Sequence, residues 1–266
     1  MQRIARELNN SETAFLFQSK SKDYDVEVRF FTPTTEVPLC GHATIAAHYV
    51  RAIEGSVTSR TVLQKTKAGI LPVDIIKEED DFSIIMTQGT PEVGSPFSTE
   101  ITKEIANAIG ISLHDIRKDC PVCIASAGHS KIMVGINDTE MLHGLKPNME
   151  ELSAISNKVG CNGYYIFTLN PTEEILVHGR MFAPAIGISE DPVTGNANGP
   201  LGIYLVHYGI CRDLETKNEL VFKIRQGEAI RRDGGMTVRV QIDNNVPKQV
   251  QIIGNAVIAF STDILL

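Results

Sequence analysis

Glu12, in the segment Ser11-Glu12-Thr13, opens a run of strand-forming apolar residues, Ala14, Phe15 and Leu16. A carboxyl pressed against such neighbours has its charged form disfavoured, which would raise its pKa and suit it to proton transfer near neutrality. Two glycine turns offer a different chemistry. In Pro38-Leu39-Cys40-Gly41-His42-Ala43 and in Asp191-Pro192-Val193-Thr194-Gly195-Asn196-Ala197, glycine stands where an apolar helix begins. Free backbone N–H groups and the helix dipole favour an anion at such a point, so a carboxylate or a developing enolate is the expected guest. Cys40 and His42 flank the first glycine; Asp191, Thr194 and Asn196 flank the second. Taken singly, each of these residues also reads as a helix cap, and Glu12 as a solvated strand carboxylate. Neither turn has the lysine of a Walker loop or the glycine spacing of a dinucleotide fingerprint.

The two turns belong to a duplicated text. Arg29, Phe31 and Pro33 recur as Arg180, Phe182 and Pro184; after a three-residue insertion, Glu36, Pro38, Gly41 and Ala43 recur as Glu190, Pro192, Gly195 and Ala197. A self-match at an offset of 151 residues, and of 154 after the insertion, indicates two homologous domains, since such a period is far too long for a solenoid repeat. The position of Glu12 is taken by Gly163 in the second copy, so one half alone supplies the carboxylate. Each copy reads helix, strand, strand, glycine turn, apolar helix, then three or four strands. The segments 42–53 and 198–209 are apolar on most sides and are expected to be the two domain cores, so that Asp in place of Ala46 or Leu201 would prevent folding. The Gly-, Pro- and Ser-rich stretch 89–98 reads as a linker. The expected domains are 1–90, closed by a C-terminal strand at 255–266, and 91–254. The second copy has strand-like sequence at 121–136 ahead of its first helix and the first copy has none. The first domain is therefore expected to lack opening strands, leaving an edge that invites pairing with a second copy of the chain.

Composition sets outer limits. At 266 residues, with 42% hydrophobic and 21% charged residues, the chain is of ordinary globular composition and long enough for two cores. A net charge of −7 without Lys/Arg clusters argues against nucleic acid as a partner. No apolar run is long enough to span a bilayer, and the N-terminus reads as a polar helix rather than a signal peptide, so a cytoplasmic location is expected. The five cysteines then read as reduced thiols. Cys120 and Cys123 form a C-x-x-C without a matching second pair, which favours buried strand cysteines over a metal site.

The segments MQRIAREL, SETAFL, RFFTPTTEVPLCGHATIAAH and GRMFAPAIGISEDPVTGNANGPLG resemble the phenazine biosynthesis-like (PhzF-like) proteins, and closely resemble the YddE-type branch of that family. The resemblance covers essentially the whole chain. It implies the diaminopimelate epimerase-like fold: α+β, two pseudo-symmetric domains, each a barrel-like, mostly antiparallel sheet around a central helix. It also implies an isomerase that works without pyridoxal phosphate, metal or nucleotide, moving a proton on a small carboxylated metabolite. Carried over residue by residue, Glu12 is the family's catalytic glutamate, His42 its site histidine and Asp191 its site aspartate, with Cys40, Gly41, Thr194, Gly195 and Asn196 around the substrate. Asn196 replaces the serine of phenazine-forming members. Thr194 stands where diaminopimelate epimerases have a second thiol, leaving Cys40 alone for a thiol-assisted epimerase. An inactive ligand-binding member is the alternative from outside catalysis. The family begins about 35 residues earlier, in keeping with the missing opening strands.

Overall fold

The computed structural model describes residues 1–55, 58–170, 174–216 and 218–263. The chain divides into two compact units, one of Met1–Thr87 with Ile253–Leu266 and one of Gln88–Ile252.

The first unit holds helices α1 (Gln2–Leu8) and α2 (Gly41–Gly55) and strands β1 (Thr13–Gln18), β2 (Val26–Phe31), β3 (Glu36–Val37), β4 (Arg60–Thr66), β5 (Gly69–Lys77) and β6 (Phe82–Thr87). The strand order is β1-β2-β4-β5-β6, antiparallel except for the β2–β4 pair. Helix α2 packs against β1, β5 and β6. It buries Ala43, Ile45, Ala47 and Ala52, but Ala46 is exposed, contrary to the expectation of burial on most sides. The reason is positional: Ala46 faces a cavity rather than the sheet. An Asp there would meet water and should not prevent folding.

The second unit holds β7 (Pro91–Val93), α3 (Thr99–Ile109), β8 (Cys123–Ala127), β9 (Ser130–Gly135), α4 (Thr139–Gly144), α5 (Met149–Val159), β10 (Tyr164–Leu169), β11 (Ile175–Ala183), β12 (Ile188–Asp191), α6 (Gly195–His207), β13 (Glu215–Thr216), β14 (Glu219–Gln226), β15 (Gly234–Asp243) and β16 (Val246–Gly254). Its strand order is β16-β15-β14-β11-β10-β9-β8-β7, with parallel pairs only at β9–β10 and β11–β14 among the registers described. One face packs on α6, whose residues Ala197–Val206 are all buried. On α6, a Cβ at Gly202 would lie 2.7 Å from Val240, so the close approach of helix and sheet requires glycine. The other face carries α3 and α5, which bury Ile105, Ile109, Leu152 and Ile155 against Ile132, Val134, Tyr164 and Ile166. Covered on both faces, β10 is buried at every residue.

Helices α3 and α4 were not expected from the sequence. Both carry ordinary start signals: the Ser98 side chain accepts from Ile101 N–H and the Asp138 side chain from Met141 N–H. The strand expected at 255–266 is absent from residues 255–263, and 264–266 lie outside the described residues. Val257 is 92% exposed and Phe260 72%, so the segment's apolar alternation has no surface to pack against.

The duplication is carried into three dimensions. Thr13 pairs with Phe31 and Ala14 with Phe30; at the same 151-residue offset, Tyr164 pairs with Phe182 and Tyr165 with Met181. Arg29 makes a two-pronged ion pair with Glu36 (2.7 and 2.9 Å) and lies over the Phe31 ring; Arg180 does the same with Glu190 (2.9 and 2.7 Å) and Phe182. Such planar pairs fix geometry because both N–H donors of the fork are engaged.

One buried group makes the first unit sensitive to acid. His48 of α2 is fully buried, its Nε2 3.1 Å from Gln64 Oε1, and burial lowers its pKa to about 4. Below its ordinary value of 6.5 the unfolded chain binds a proton that the folded chain refuses. Stability should therefore be retained above pH 6.5 and fall toward pH 4, by up to roughly 1.4 kcal/mol per pH unit. Urea titrations at pH 7 and pH 5 should show wild type losing more stability between the two than His48→Gln. Equal losses would contradict a neutral buried His48.

Candidate active site

In the first unit, Glu12 stands just ahead of β1, and Cys40 and His42 bracket the first residue of α2. Antiparallel pairing of β1 with β2, followed by the short turn through β3, brings these two chain segments together. The result is a tight group. His42 Nε2 lies 3.0 Å from Glu12 Oε2 and 3.3 Å from Ser11 Oγ, and both ring nitrogens are 3.7 Å from Cys40 Sγ. Glu12 Oε2 is closed off from solvent without a well-aligned hydrogen bond, so the contact to His42 is a charge contact rather than an ideal bond. The helix hydroxyl of Thr44 donates to Cys40 O at 2.7 Å, fixing the turn that presents the thiol.

The electrostatics differ from the sequence expectation. Burial does push the Glu12 pKa up, as its apolar neighbours suggest, but His42, Ser11 and Cys40 together hold it below the ordinary 4.5. For His42, burial works against the charged ring, and the contacts to Cys40 and Glu12 outweigh it, raising its pKa above the ordinary 6.5. The pair is therefore a carboxylate beside an imidazolium at neutral pH. Glu12 is poised as a base, and not as the neutral acid that apolar burial alone would make.

Glu12 and His42 line a cavity of about 950 Å³ whose wall also includes Leu16, Ala46 and Ala47 and the charged Asp25, Arg51 and Glu54. Largely apolar walls with a few convergent charged groups are the usual make-up of a small-molecule site. The donor atoms of Glu12, Cys40 and His42 lie within 4.8 Å of one another, close enough for a single ion to reach all three.

In the second unit, Asp191 ends β12 and Thr194 is the residue before α6. Thr194 Oγ1 donates to Asp191 Oδ2 in a short bond. Gln226 ties the turn together, donating to Asp191 O (2.7 Å) and Thr194 Oγ1 (3.0 Å) and accepting from Asn198 Nδ2 (3.0 Å). Asn198 in turn donates to Thr194 O at 3.0 Å, the counterpart of Thr44 on Cys40 O. Asn196 Oδ1 accepts from Gln88 Nε2 at 3.4 Å. Asp191, Thr194, Gly195 and Asn196 are thus gathered at the start of α6, as Cys40, Gly41 and His42 are at the start of α2.

Gln226 and Lys131 were not singled out from the sequence. Lys131 runs across Gly163, the counterpart of Glu12, where a Cβ would lie 2.4 Å from its Cδ. Burial lowers the Lys131 ammonium pKa, with Cys161 and Asp191 acting the other way. The exchange of glutamate for glycine at that position is thus filled by a lysine stem. Cys120 and Cys123 are buried free thiols, with burial pushing Cys120 up to about 12. Neither is a reactive thiolate. Among the described residues, no helix is long and apolar enough to cross a membrane.

Comparison with known proteins agrees on one group. The family model described as phenazine biosynthesis-like protein matches residues 1–262. An uncharacterised isomerase of Clostridium acetobutylicum is 54% identical over 268 residues, covering 100% of this chain and 88% of the relative. The uncharacterised isomerase YddE of Escherichia coli K12 is 47% identical over 263 residues, covering 99% of this chain and 87% of the relative. The crystal structure of a Bacillus anthracis phenazine biosynthesis protein of the PhzF family is similar with a TM-score of 0.87 and 31% identity, over 100% of this chain and 88% of that one.

Proposed function

Because the chain belongs to the phenazine biosynthesis-like protein family of isomerases, we propose that it shifts a proton on a small carboxylated metabolite by acid/base catalysis at Glu12. The observation that carries this reading is the Glu12–His42 contact of 3.0 Å in the wall of a largely apolar cavity. A carboxylate in that setting can take a proton from carbon next to a carboxyl or carbonyl group. The C–H electron pair moves into the substrate as an enolate, and the proton on Glu12 is returned to another carbon on the same face. His42, held charged, favours the developing anion, and the first N–H groups of α2 at Gly41 add their partial positive charge. Asp191, Thr194, Gly195 and Asn196 are proposed to bind and orient the substrate. No resident cofactor is required by this scheme.

The thiol of Cys40, 3.7 Å from His42, supports a second reading in which Cys40 carries the proton in an epimerase. Solvent isotope exchange identifies the substrate in either case. Incubation with pools of carboxylated metabolites in D2O should produce a mass gain of one in at least one compound, detected by mass spectrometry. No gain across amino acids, hydroxy acids and cyclic carboxylates would count against any proton-shifting activity.

The directions of the two pKa shifts fix the pH profile. Activity requires ionised Glu12 and charged His42, so kcat/KM should fall on the acid side only below pH 4.5 and on the alkaline side only above pH 6.5. An acid limb between pH 6 and 7 would show a raised carboxyl and contradict the ion-pair description.

A further inference from the structure

We propose that His143, His178 and Glu228 of the second unit form a binding site for a divalent transition cation of the zinc class. The three side chains come from three elements: His143 from α4, His178 from β11 and Glu228 from the 3-10 turn Glu228–Ile230. Their donor atoms nevertheless converge within 4.8 Å of one another. Both rings aim one nitrogen at the same carboxylate oxygen: His178 Nδ1 lies 2.6 Å and His143 Nε2 3.3 Å from Glu228 Oε2.

Two imidazoles and one carboxylate are a zinc-type donor set that leaves a coordination position open. Donors about 2.0–2.1 Å from a tetrahedral ion sit about 3.3 Å apart, which matches the His143–Glu228 spacing. The tighter His178 contact would open by about 0.7 Å, within the reach of a glutamate side chain. Arg225 Nη1 is 4.0 Å from the other carboxylate oxygen, Oε1, which leaves Oε2 to the two rings. Side-chain exposures of 37% for His143 and 12% for His178 let an ion enter without exposing the whole site.

Hydrogen bonds tie together the strand and the helix end that carry the two histidines. His178 and Arg180 alternate on β11, so both side chains leave the same face of the strand. Arg180, buried and paired with Glu190, donates to Leu142 O (3.0 Å), His143 O (3.4 Å) and Leu145 O (2.9 Å). The strand that supplies one histidine therefore also anchors the helix end that supplies the other. The first unit has no such group at the matching strand position, where Glu27 replaces His178. The site does not depend on the Glu12 assignment.

The test is calorimetric titration of chelator-treated full chain with Zn2+. It is run in a Cys40→Ser background, which removes the thiol of the Glu12–Cys40–His42 group. One equivalent should bind and raise Tm, since an ion that prefers the folded state stabilises it. Adding His143→Gln or Glu228→Gln should weaken binding about tenfold or more and abolish the Tm increase, while circular dichroism remains unchanged. Absence of binding in the Cys40→Ser chain, or binding that persists undiminished in both added variants, would overturn the proposal. His143 is half-exposed, so loss of binding in its variant is readable without loss of fold.

Discussion

Replacing Glu12 by Gln should abolish most turnover of the exchanging substrate while leaving its binding nearly intact. A positioned acid/base group contributes roughly 10²–10⁴-fold in rate, and glutamine keeps the shape and one acceptor without a titratable oxygen. The loss should fall on kcat rather than on KM, because His42 and the α2 N-terminus still receive the substrate. Cys40→Ser should retain most turnover, since the proposed proton path does not pass through sulfur. The reverse pattern, an active Glu12→Gln and an inactive Cys40→Ser, would transfer the role to the thiol.

The largest expected effect on stability is at Leu201. It is fully buried in α6, in a helix covered by β7, β8, β9, β14 and β15. Leu201→Asp leaves a charge without a partner in that core, at a cost of several kcal/mol against a total stability of roughly 5–15 kcal/mol. The variant should be insoluble or lack a cooperative melt, whereas Leu201→Ala should fold with a loss of about 2–5 kcal/mol. Ala46→Asp, on the cavity side of α2, should stay folded. A soluble Leu201→Asp chain with a cooperative transition near that of wild type would refute the central-helix description of the second unit.

The duplicated architecture was legible because it is written in residues whose spacing survives: an arginine, an aromatic, a glutamate and a helix-opening glycine. Those marks became the Arg29–Glu36 and Arg180–Glu190 pairs and the starts of α2 and α6. Helix α3 was missed although Ile101, Ile105, Ala108 and Ile109 lie at helical spacing between a Ser98 cap and Gly110. The stretch 89–98 before it, rich in Gly and Pro, reads as a linker, yet its residues Pro91–Val93 pair with β8 as a strand of the second unit. The exposure of Ala46 could not be read, since the pattern of α2 shows which residues are apolar and not which side lacks a sheet.

The electrostatic state of Glu12 was misread for a related reason. Its sequence neighbours are apolar and predict a raised pKa, but the group that decides the matter is His42, thirty residues away and 3.0 Å distant. The cluster of His143, His178 and Glu228 left no sequence signal for the same reason: its members are separated by 35 and 50 positions, and the pairing of β11 with β14 together with the Arg180 bonds to the end of α4 assembles them.

The most direct measurement of the central claim is solvent deuterium incorporation by wild type and Glu12→Gln, with the identified substrate followed by mass spectrometry and NMR. Wild type should place one deuterium at a single carbon, and Glu12→Gln, though still binding the substrate, should incorporate it at least about a hundredfold more slowly. Equal incorporation by the two proteins would contradict the account.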